Sequence, residues 1–179
     1  MMAKLNQSGE ALFVRLLTPA DASEEDAKWL GDAETNRFLE TKAATVPQLR
    51  DYIADHQERD DSFLLGIFLR PDDVHIGNIK FEPIEITEGR AGLGIMIGSP
   101  QHRGIGLGPQ AIRAGVEALV SHHPAVQLIT LGVSASNFSA IRAYERLGFQ
   151  SAQAGLSQSS QTSSGHNLRL EITVARLLQ

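Results

Sequence analysis

The chain has 179 residues, of which 42% are hydrophobic, and this is enough for one domain with a core of its own. Its formal net charge is −5, with 21 acidic and 16 basic residues, so nucleic acid is not an expected partner. The absence of cysteine excludes disulfides, thiolate nucleophiles and cysteine-based zinc sites. No signal peptide, membrane-spanning run or metal-ligand spacing is visible. We therefore expect a single cytoplasmic domain over 1–179, with no membrane partner and no metal.

The hydrophobic pattern predicts strands and helices in alternation, with glycine, proline and N-cap residues at their ends. The predicted strands are 11–17, 62–69, 74–81, 90–98 and 126–133, followed by a last pair from Phe149 onward and over 168–178. The predicted helices are 21–30, 46–59, 109–122 and 137–148. A segment rich in Ser, Gln and Gly, about 157–167, is predicted to be a flexible hairpin loop.

The most informative segment is 101–108, QHRGIGLG, between a predicted strand and a predicted helix. Glycine at every second position and Pro109 at the helix start predict a row of backbone N–H groups at a helix N-terminus, which binds phosphate oxygens. Arg103 adds a positive charge, and the glycines let a pyrophosphate approach the main chain closely. The segment therefore predicts a phosphorylated cofactor.

Two common phosphate-binding loops do not fit this segment. A P-loop needs Gly-Lys-Ser/Thr after its glycines, whereas this loop continues Leu107-Gly108-Pro109-Gln110. A dinucleotide-binding turn needs an acidic residue near the end of the next strand, whereas that strand is followed by Ser134-Ala135-Ser136-Asn137. ATP, GTP and dinucleotides are thus not the expected ligands.

Two motifs, in this order, carry a family resemblance. Residues 101–106, QHRGIG, fit Gln-x-x-Gly-x-Gly, and residues 137–149, NFSAIRAYERLGF, fit Asn-x-Ser-Ala-x-x-x-Tyr-x-x-x-Gly-Phe. Together they resemble the GNAT superfamily of acetyl-CoA-dependent N-acetyltransferases. The resemblance implies an α/β (α+β) fold: a mixed, mostly antiparallel sheet of six or seven strands with about four helices and two central strands splayed apart to hold CoA. It also implies acetyl-CoA as cofactor and CoA as product, and a homodimer is an expectation on family grounds alone.

The resemblance places the cofactor along the strand before the glycine segment, on that segment, and at the start of the helix from Asn137. The implied cofactor-binding residues are Ile95, Met96, Ile97, Gln101, His102, Arg103, Gly104, Ile105, Gly106, Leu107, Gly108, Asn137 and Ser139. For His102, a histidine exposed at the surface without a ligand is the alternative.

Tyr144 is the candidate general acid. Seven residues separate it from Asn137, which is nearly two helical turns, so both side chains project from one face about 10 Å apart. In the resembled family, the tyrosine at this motif position often lies beside the sulfur, where it can protonate the departing CoA thiolate. The alternative is that Tyr144 is a core residue, since Ile141 and Leu147 share its helical spacing, and that Asn137 is only an N-cap.

The candidate general base is a carboxylate after the strand 74–81. Members of the resembled family commonly take the amine proton through such a group, sometimes through water, and Glu82 and Glu85 are the nearest. Glu82 is the first choice. Strand alternation places it on the opposite face from Phe81, so a solvated surface carboxylate is the alternative.

Arg37 and Phe38 are the candidates for acceptor selection. Their surroundings resemble the family branch that contains ribosomal-protein N-terminal acetyltransferases and acetyltransferases of amino sugars and small amines. An exposed arginine and a core phenylalanine are the alternative. We predict an N-acetyltransferase that transfers the acetyl group of acetyl-CoA directly to a primary amine, either a peptide N-terminus or a small amine. A nucleotide-linked amino-sugar acetyltransferase and a non-catalytic acyl-CoA-binding or sensing domain are the alternatives.

Overall fold

A single seven-stranded sheet organises the part of the chain that the computed structural model describes, which is residues 11–31, 45–152 and 167–179. The strands are β1 Leu12–Leu16, β2 Phe63–Leu69, β3 Val74–Glu85, β4 Arg90–Ile97, β5 Leu128–Ser134, β6 Gln150–Ser151 and β7 Asn167–Thr173. The α-helices are α1 Glu24–Gly31, α2 Val46–Glu58, α3 Leu107–His122, α4 Phe138–Leu147 and α5 Val174–Leu177. The strand order is β1-β2-β3-β4-β5-β7-β6. The predicted fold class is confirmed.

The two central strands separate soon after they meet. All neighbouring strands are antiparallel except β4 and β5, which pair in parallel through three residue pairs, from Arg90 with Leu128 to Gly92 with Thr130. Beyond that point β4 stays paired with β3 up to Ile97, and β5 stays paired with β7 up to Ser134. The sheet therefore opens into a V at the C-terminal ends of β4 and β5, which confirms the predicted splay.

The main hydrophobic core lies between the sheet and helices α3 and α4. Ile79 and Phe81 of β3 are fully buried there and pack against α3 at Gly115, where an added Cβ would lie 3.0 Å from the Ile79 side chain. Because successive residues of a strand point to opposite faces, Lys80 and Glu82 lie on the other face of the sheet.

That other face has a smaller core of its own. Leu17, Ile53 of α2, and Leu64 and Phe68 of β2 form it together with Ala22. In the described chain this cluster covers the β1–β2 end of the sheet, whereas Gly94 of β4 and Gly132 of β5 stay exposed on the same face. The face with the smaller core is called the open face below.

Several element boundaries differ from the predictions. The predicted helix 21–30 is a 3-10 turn at Pro19–Asp21 followed by α1, because the Asp21 carboxylate bonds back to Thr18 and Ser23 provides a new cap for Asp26.

Later in the chain, β3 extends to Glu85 across an irregularity after Phe81, and α3 begins at Leu107 rather than Pro109. The strand predicted to reach 178 ends at Thr173, whose hydroxyl caps α5. Of the predicted flexible loop, Asn167 belongs to β7, and 157–166 lie outside the described residues.

Candidate active site

The V between β4 and β5 gives the predicted cofactor strand one free edge. Ile95, Met96 and Ile97 pair with Ile79, Asn78 and Gly77 of β3, while β5 has already diverged on the other side. All three are half-buried. Their backbone groups on the β5 side therefore face the opening of the V, where an extended ligand can pair with them.

The glycine segment lies at the end of this opening. Gly104 and Gly106 have φ angles of 72° and 87°, a left-handed conformation that glycine adopts without strain. A Cβ built at either of them or at Gly108 would meet nothing within 4 Å. Because α3 begins at Leu107, its first N–H groups adjoin this unobstructed space. The residues present fit a pyrophosphate.

The side chains of the segment divide into two groups. Arg103 donates from Nε to the Ile97 carbonyl at 2.9 Å and from Nη2 to the Gly98 carbonyl at 2.6 Å, so it ties the segment to the end of β4. His102 lies 2.8 Å from the Ser99 hydroxyl through Nδ1. Gln101 is exposed and Ile105 is 63% exposed, whereas the Leu107 side chain is buried in the core. At Leu107 only the backbone is available to a ligand.

Helix α4 positions Asn137 and Tyr144. The Asn137 side chain accepts a hydrogen bond from the Ala140 N–H at 3.2 Å, so it is the N-cap of α4, while Ser139 is exposed. The Tyr144 ring packs edge-on against Phe149 with 5.6 Å between centroids and contacts the main core. Its hydroxyl has no hydrogen-bond partner among the described residues. Burial raises the pKa of Tyr144, so the phenol stays protonated at neutral pH.

Glu82 lies on the open face between two cations. Its carboxylate is 2.5 Å from Arg59 Nη1 and 2.6 Å from Lys80 Nζ. Burial alone would raise its pKa, but the hydrogen bonds and charges of Lys80 and Arg59 outweigh burial and lower the pKa. Glu85 is paired with Arg90, whose hydrogen bond likewise lowers the Glu85 pKa. Both carboxylates are therefore ionised at neutral pH.

The structure adds residues that the sequence reasoning missed. The Lys80 ammonium lies 5.8 Å from the centre of the Tyr52 ring, and Arg59 also binds Asp61, so a charged network extends from β3 to α2. The signal in the sequence was the alternation along β3, which places polar side chains at every second position. What the alternation could not reveal was that the partners come from α2 and the loop after it.

A second missed group lies where α1 meets the end of β4. Trp29 is 2% exposed, and its ring lies so close to Gly98 that an added Cβ there would be 2.1 Å from it. Beside Trp29, the buried Asp26 carboxylate lies 3.2 Å from His75 Nδ1. The Gly98 carbonyl that accepts from Arg103 is thus packed against α1.

Three remaining predictions concern the acceptor residues, a metal site and a membrane span. Arg37 and Phe38 lie outside the described residues. In the part of the chain that is described, no three His, Cys, Asp or Glu side chains are grouped so that they could bind a metal ion. Within the same residues, no helix is long and apolar enough to span a membrane.

Comparison with known proteins identifies the family. The model of the acetyltransferase (GNAT) domain matches residues 11–150, so the chain belongs to the GNAT acetyltransferase family and is an acyltransferase that uses acetyl-CoA. The same residues hold the splayed strands, the glycine segment and α4. No curated protein sequence matches.

Solved structures with the same fold extend over almost the whole chain. Spermidine N-acetyltransferase from Vibrio cholerae, solved with CoA and spermine, aligns at a TM-score of 0.78 and 18% identity, covering 94% of this chain and 99% of that one. Aminoglycoside acetyltransferase AAC(6')-Ib, solved with coenzyme A, aligns at 0.72 and 22% identity, covering 92% and 96%. A GNAT-family acetyltransferase from Streptococcus pneumoniae aligns at 0.67 and 17% identity, covering 90% and 99%.

Proposed function

We propose that this protein transfers the acetyl group of acetyl-CoA directly to the primary amine of a small molecule. The observation that carries the proposal is the V between β4 and β5, with the glycine segment and the α3 N-terminus at its end. A long ligand with a pyrophosphate in its middle and an extended arm fits this geometry. Acetyl-CoA supplies the activated acetyl thioester there.

In this proposal the cofactor-binding residues act mainly through the backbone. The N–H groups of Gly104 to Gly108 bind the pyrophosphate, and the free edge of 95–97 pairs with the pantetheine arm. Arg103 is bonded to the carbonyls of Ile97 and Gly98, so its main contribution is to hold the segment against β4. Asn137 and Ser139 flank the opening from the start of α4.

Tyr144 is the proposed general acid. Its raised pKa keeps the proton on the phenol, and its hydroxyl is not committed to another described residue. A protonated hydroxyl held by packing against Phe149 can donate to a leaving thiolate without first breaking a hydrogen bond.

Glu82 is the proposed base. It lies on the open face, where an amine acceptor would reach the V. With its pKa lowered by Lys80 and Arg59 it is ionised throughout the neutral range. The same two cations make it a weaker proton acceptor than an unpaired carboxylate, so in this proposal it relays the amine proton, directly or through a water molecule, and does not retain it.

The acceptor we propose is a small cationic amine. The enzymes of known name that share this fold over more than nine-tenths of both chains act on spermidine and on aminoglycosides, which are such amines. The formal net charge of −5 favours a cationic acceptor over an anionic one. A peptide N-terminus and a nucleotide-linked amino sugar remain the alternatives, and Arg37 and Phe38 remain candidates for selecting among them.

We further propose that 1–179 form one acetyltransferase domain. The family match spans 11–150, and the solved structures above are covered over 96–99% of their own length. A homodimer remains a prediction; the Vibrio cholerae enzyme is described as dodecameric in one structure.

The test is CoA release from acetyl-CoA across a panel of amines. The panel holds spermidine, kanamycin, glucosamine, a nucleotide-linked amino sugar, and Ser- and Ala-starting peptides. We expect turnover with a small amine that depends on Tyr144. Two results together would favour the non-catalytic acyl-CoA-binding alternative. Acetyl-CoA would stabilise wild type and Tyr144→Phe equally against heat, and no panel member would be turned over.

A further inference from the structure

A buried contact between a carboxylate and a histidine connects α1 to the open face. Asp26 of α1 is 6% exposed, and one of its carboxylate oxygens lies 3.2 Å from Nδ1 of His75. The imidazole packs between the rings of Phe68, at 4.7 Å, and Trp29, at 5.2 Å. Its other nitrogen, Nε2, lies 3.0 Å from the Gly77 carbonyl and 2.8 Å from the Asn78 side-chain oxygen.

The partners of His75 define where its hydrogens are. A backbone carbonyl only accepts hydrogen bonds, so Nε2 must carry a hydrogen to bond to Gly77. On the other side of the ring, the Asp26 carboxylate oxygen lies 3.2 Å from Nδ1 but outside hydrogen-bonding geometry. Burial by itself would lower the pKa of His75, and the nearby Asp26 carboxylate outweighs burial and raises it. Asp26 is the one charged side chain that acts on His75 among the described residues of α1, β2 and β3 packed around it.

The hydrogen on Nε2 fixes the orientation of Asn78. Oxygen and nitrogen of a side-chain amide are hard to distinguish by shape, and neighbouring hydrogen bonds decide between them. Because Nε2 of His75 is a donor, the Asn78 atom that faces it must be the acceptor, Oδ1. The Asn78 amide nitrogen then points away from His75 with two hydrogens to donate, and it has no partner among the described residues.

Asn78 lies where an acceptor would approach the V. It is half-buried, shares the open face with Lys80 and Glu82, and is directly opposite Met96 of β4. The next position along β4 on this face is Gly94, where an added Cβ would meet nothing closer than a backbone oxygen at 3.9 Å. Adjacent strands are about 5 Å apart, so a molecule lying over Gly94 is within reach of the Asn78 amide.

We propose that Asn78 donates a hydrogen bond from its amide nitrogen to an oxygen of the acceptor, and that His75 is the positioning residue that holds this amide in one orientation. The inference rests on the proposed function and narrows its substrate class. A hydroxyl or carbonyl oxygen accepts from Asn78, whereas the ammonium groups of a plain polyamine are donors and do not. Lys80, next along the same face, is likewise only a donor. The site therefore favours an amine that carries oxygen atoms near its reacting nitrogen.

The test uses Asn78→Asp, which keeps an oxygen toward His75 and replaces the donor nitrogen by a second acceptor. For an oxygen-rich amine such as kanamycin or glucosamine we expect KM to rise about tenfold, the effect of losing one hydrogen bond. We expect kcat and the KM for acetyl-CoA to stay within twofold, and spermidine to be acetylated as well as before or better. Gln150→Glu on the exposed edge strand β6 introduces the same charge elsewhere and should change none of these values. Equal losses for kanamycin and spermidine, or no change for either, would overturn the proposal.

Two measurements test the role of His75. If His75 acts through Asn78, the double variant His75→Ala with Asn78→Ala has the same acceptor KM as Asn78→Ala alone. If the increases in KM of the two single variants multiply in the double variant, His75 is not a positioning residue. Because His75→Ala removes a buried ring, nitrogen-15 NMR of the unaltered protein provides a second test. Nε2 of His75 should carry a hydrogen at pH 7, and an unprotonated Nε2 would refute the assignment. This measurement needs no acceptor, so it distinguishes failure of this inference from failure of the proposed function.

Discussion

The two sides of the V are built in different ways. On the cofactor side, the glycine segment and the start of α4 present mostly backbone groups, and each comes from one continuous stretch of sequence. On the open face, Asn78, Lys80 and Glu82 of β3 are held by side chains from α1, α2 and the loop after α2. The proposed acetyl-CoA site is thus encoded locally, whereas the proposed acceptor site depends on residues far apart in the chain.

This difference has a consequence for specificity. Backbone donors bind any pyrophosphate of the right shape, so the cofactor side can stay constant while the acceptor changes. The charge that the open face presents to a ligand depends on which charged side chains neutralise one another. Glu82 has two cationic partners, and His75 has one anionic partner, so a single substitution in α1 or in the loop after α2 can change which charges the open face presents.

The largest expected effect tests the cofactor side. Gly106→Glu places a carboxylate where the pyrophosphate is proposed to bind, and repulsion of about 4 kcal/mol corresponds to about a thousandfold loss of acetyl-CoA affinity. Isothermal titration calorimetry measures it. Gly106→Gln is the matched control, because it has the same size and the same backbone strain at a φ of 87° but no charge. Equal losses in both variants would show that strain, not charge, decides, and retained binding in Gly106→Glu would place the cofactor elsewhere.

Tyr144→Phe comes next. It removes only the hydroxyl, so we expect turnover to fall about 100-fold, as for loss of a positioned general acid, while acetyl-CoA affinity stays within twofold. Steady-state kinetics with the best amine of the panel measure the first value, and calorimetry the second.

The other tyrosine provides the control for this prediction. Tyr52 is 43% exposed on α2, and Tyr52→Phe deletes the same atom outside the V, from a ring that contacts Lys80 beside Glu82. It should lose far less turnover than Tyr144→Phe. If Tyr144→Phe retains full turnover as well, the tyrosine is a core residue, as its packing against Phe149 alone would suggest.

The same division explains what the sequence could predict. The glycine segment and the Asn137 to Phe149 motif are local patterns, so the family, the fold class and the splayed strands were all predictable from them. The ends of the elements were less predictable from the sequence. At Asp21, Gly106 and Thr173, a single hydrogen bond or a single φ angle decides where a helix or strand begins or ends.

The open face was the part that the sequence could not reveal. The position of Glu82 at a strand end makes it a candidate, but its partner Arg59 is 23 residues away in the sequence. Nothing local to His75 indicates that Asp26 lies against it. Such contacts follow from tertiary packing of α1 and α2 on the sheet, which periodicity along one element does not encode.

Glu82→Gln tests the open face at the level of the proton. We expect kcat/KM for the amine to fall about tenfold at neutral pH, because the amide cannot accept the proton. The lowered pKa of Glu82 also makes the stability of the fold depend on pH. A carboxylate whose pKa is lower in the folded state stabilises the fold above its ordinary value of 4.5, and this contribution disappears as the pH falls through the folded value. Wild type should therefore unfold at higher urea than Glu82→Gln at pH 7, with the gap closing below pH 4.5.

Glu85→Gln is the matched control for Glu82, since Glu85 is also an ion-paired carboxylate near the end of β3. The stability of Glu85→Gln relative to wild type should depend on pH in the same direction as that of Glu82→Gln. Its kcat/KM should equal that of the wild type. Loss of activity in Glu85→Gln with normal activity in Glu82→Gln would transfer the role of base to Glu85.

Asp26→Asn is expected to have the smallest effect, and it tests whether α1 and β3 are joined by charge. Burial by itself would lower the pKa of His75, but the nearby carboxylate of Asp26 outweighs burial and raises it. A histidine whose pKa is raised on folding stabilises the fold below its ordinary value of 6.5, and the contribution is lost as the pH rises through the folded value. The free energy of unfolding of the wild type should exceed that of Asp26→Asn by roughly 1 kcal/mol at pH 6, the size of one charge pair, and by less at pH 9. Asp51→Asn removes a carboxylate that is exposed on α2 and should give no such pH dependence. A gap that stays constant from pH 6 to pH 9 would mean that His75 is neutral, and the open face would then be held by packing rather than by charge.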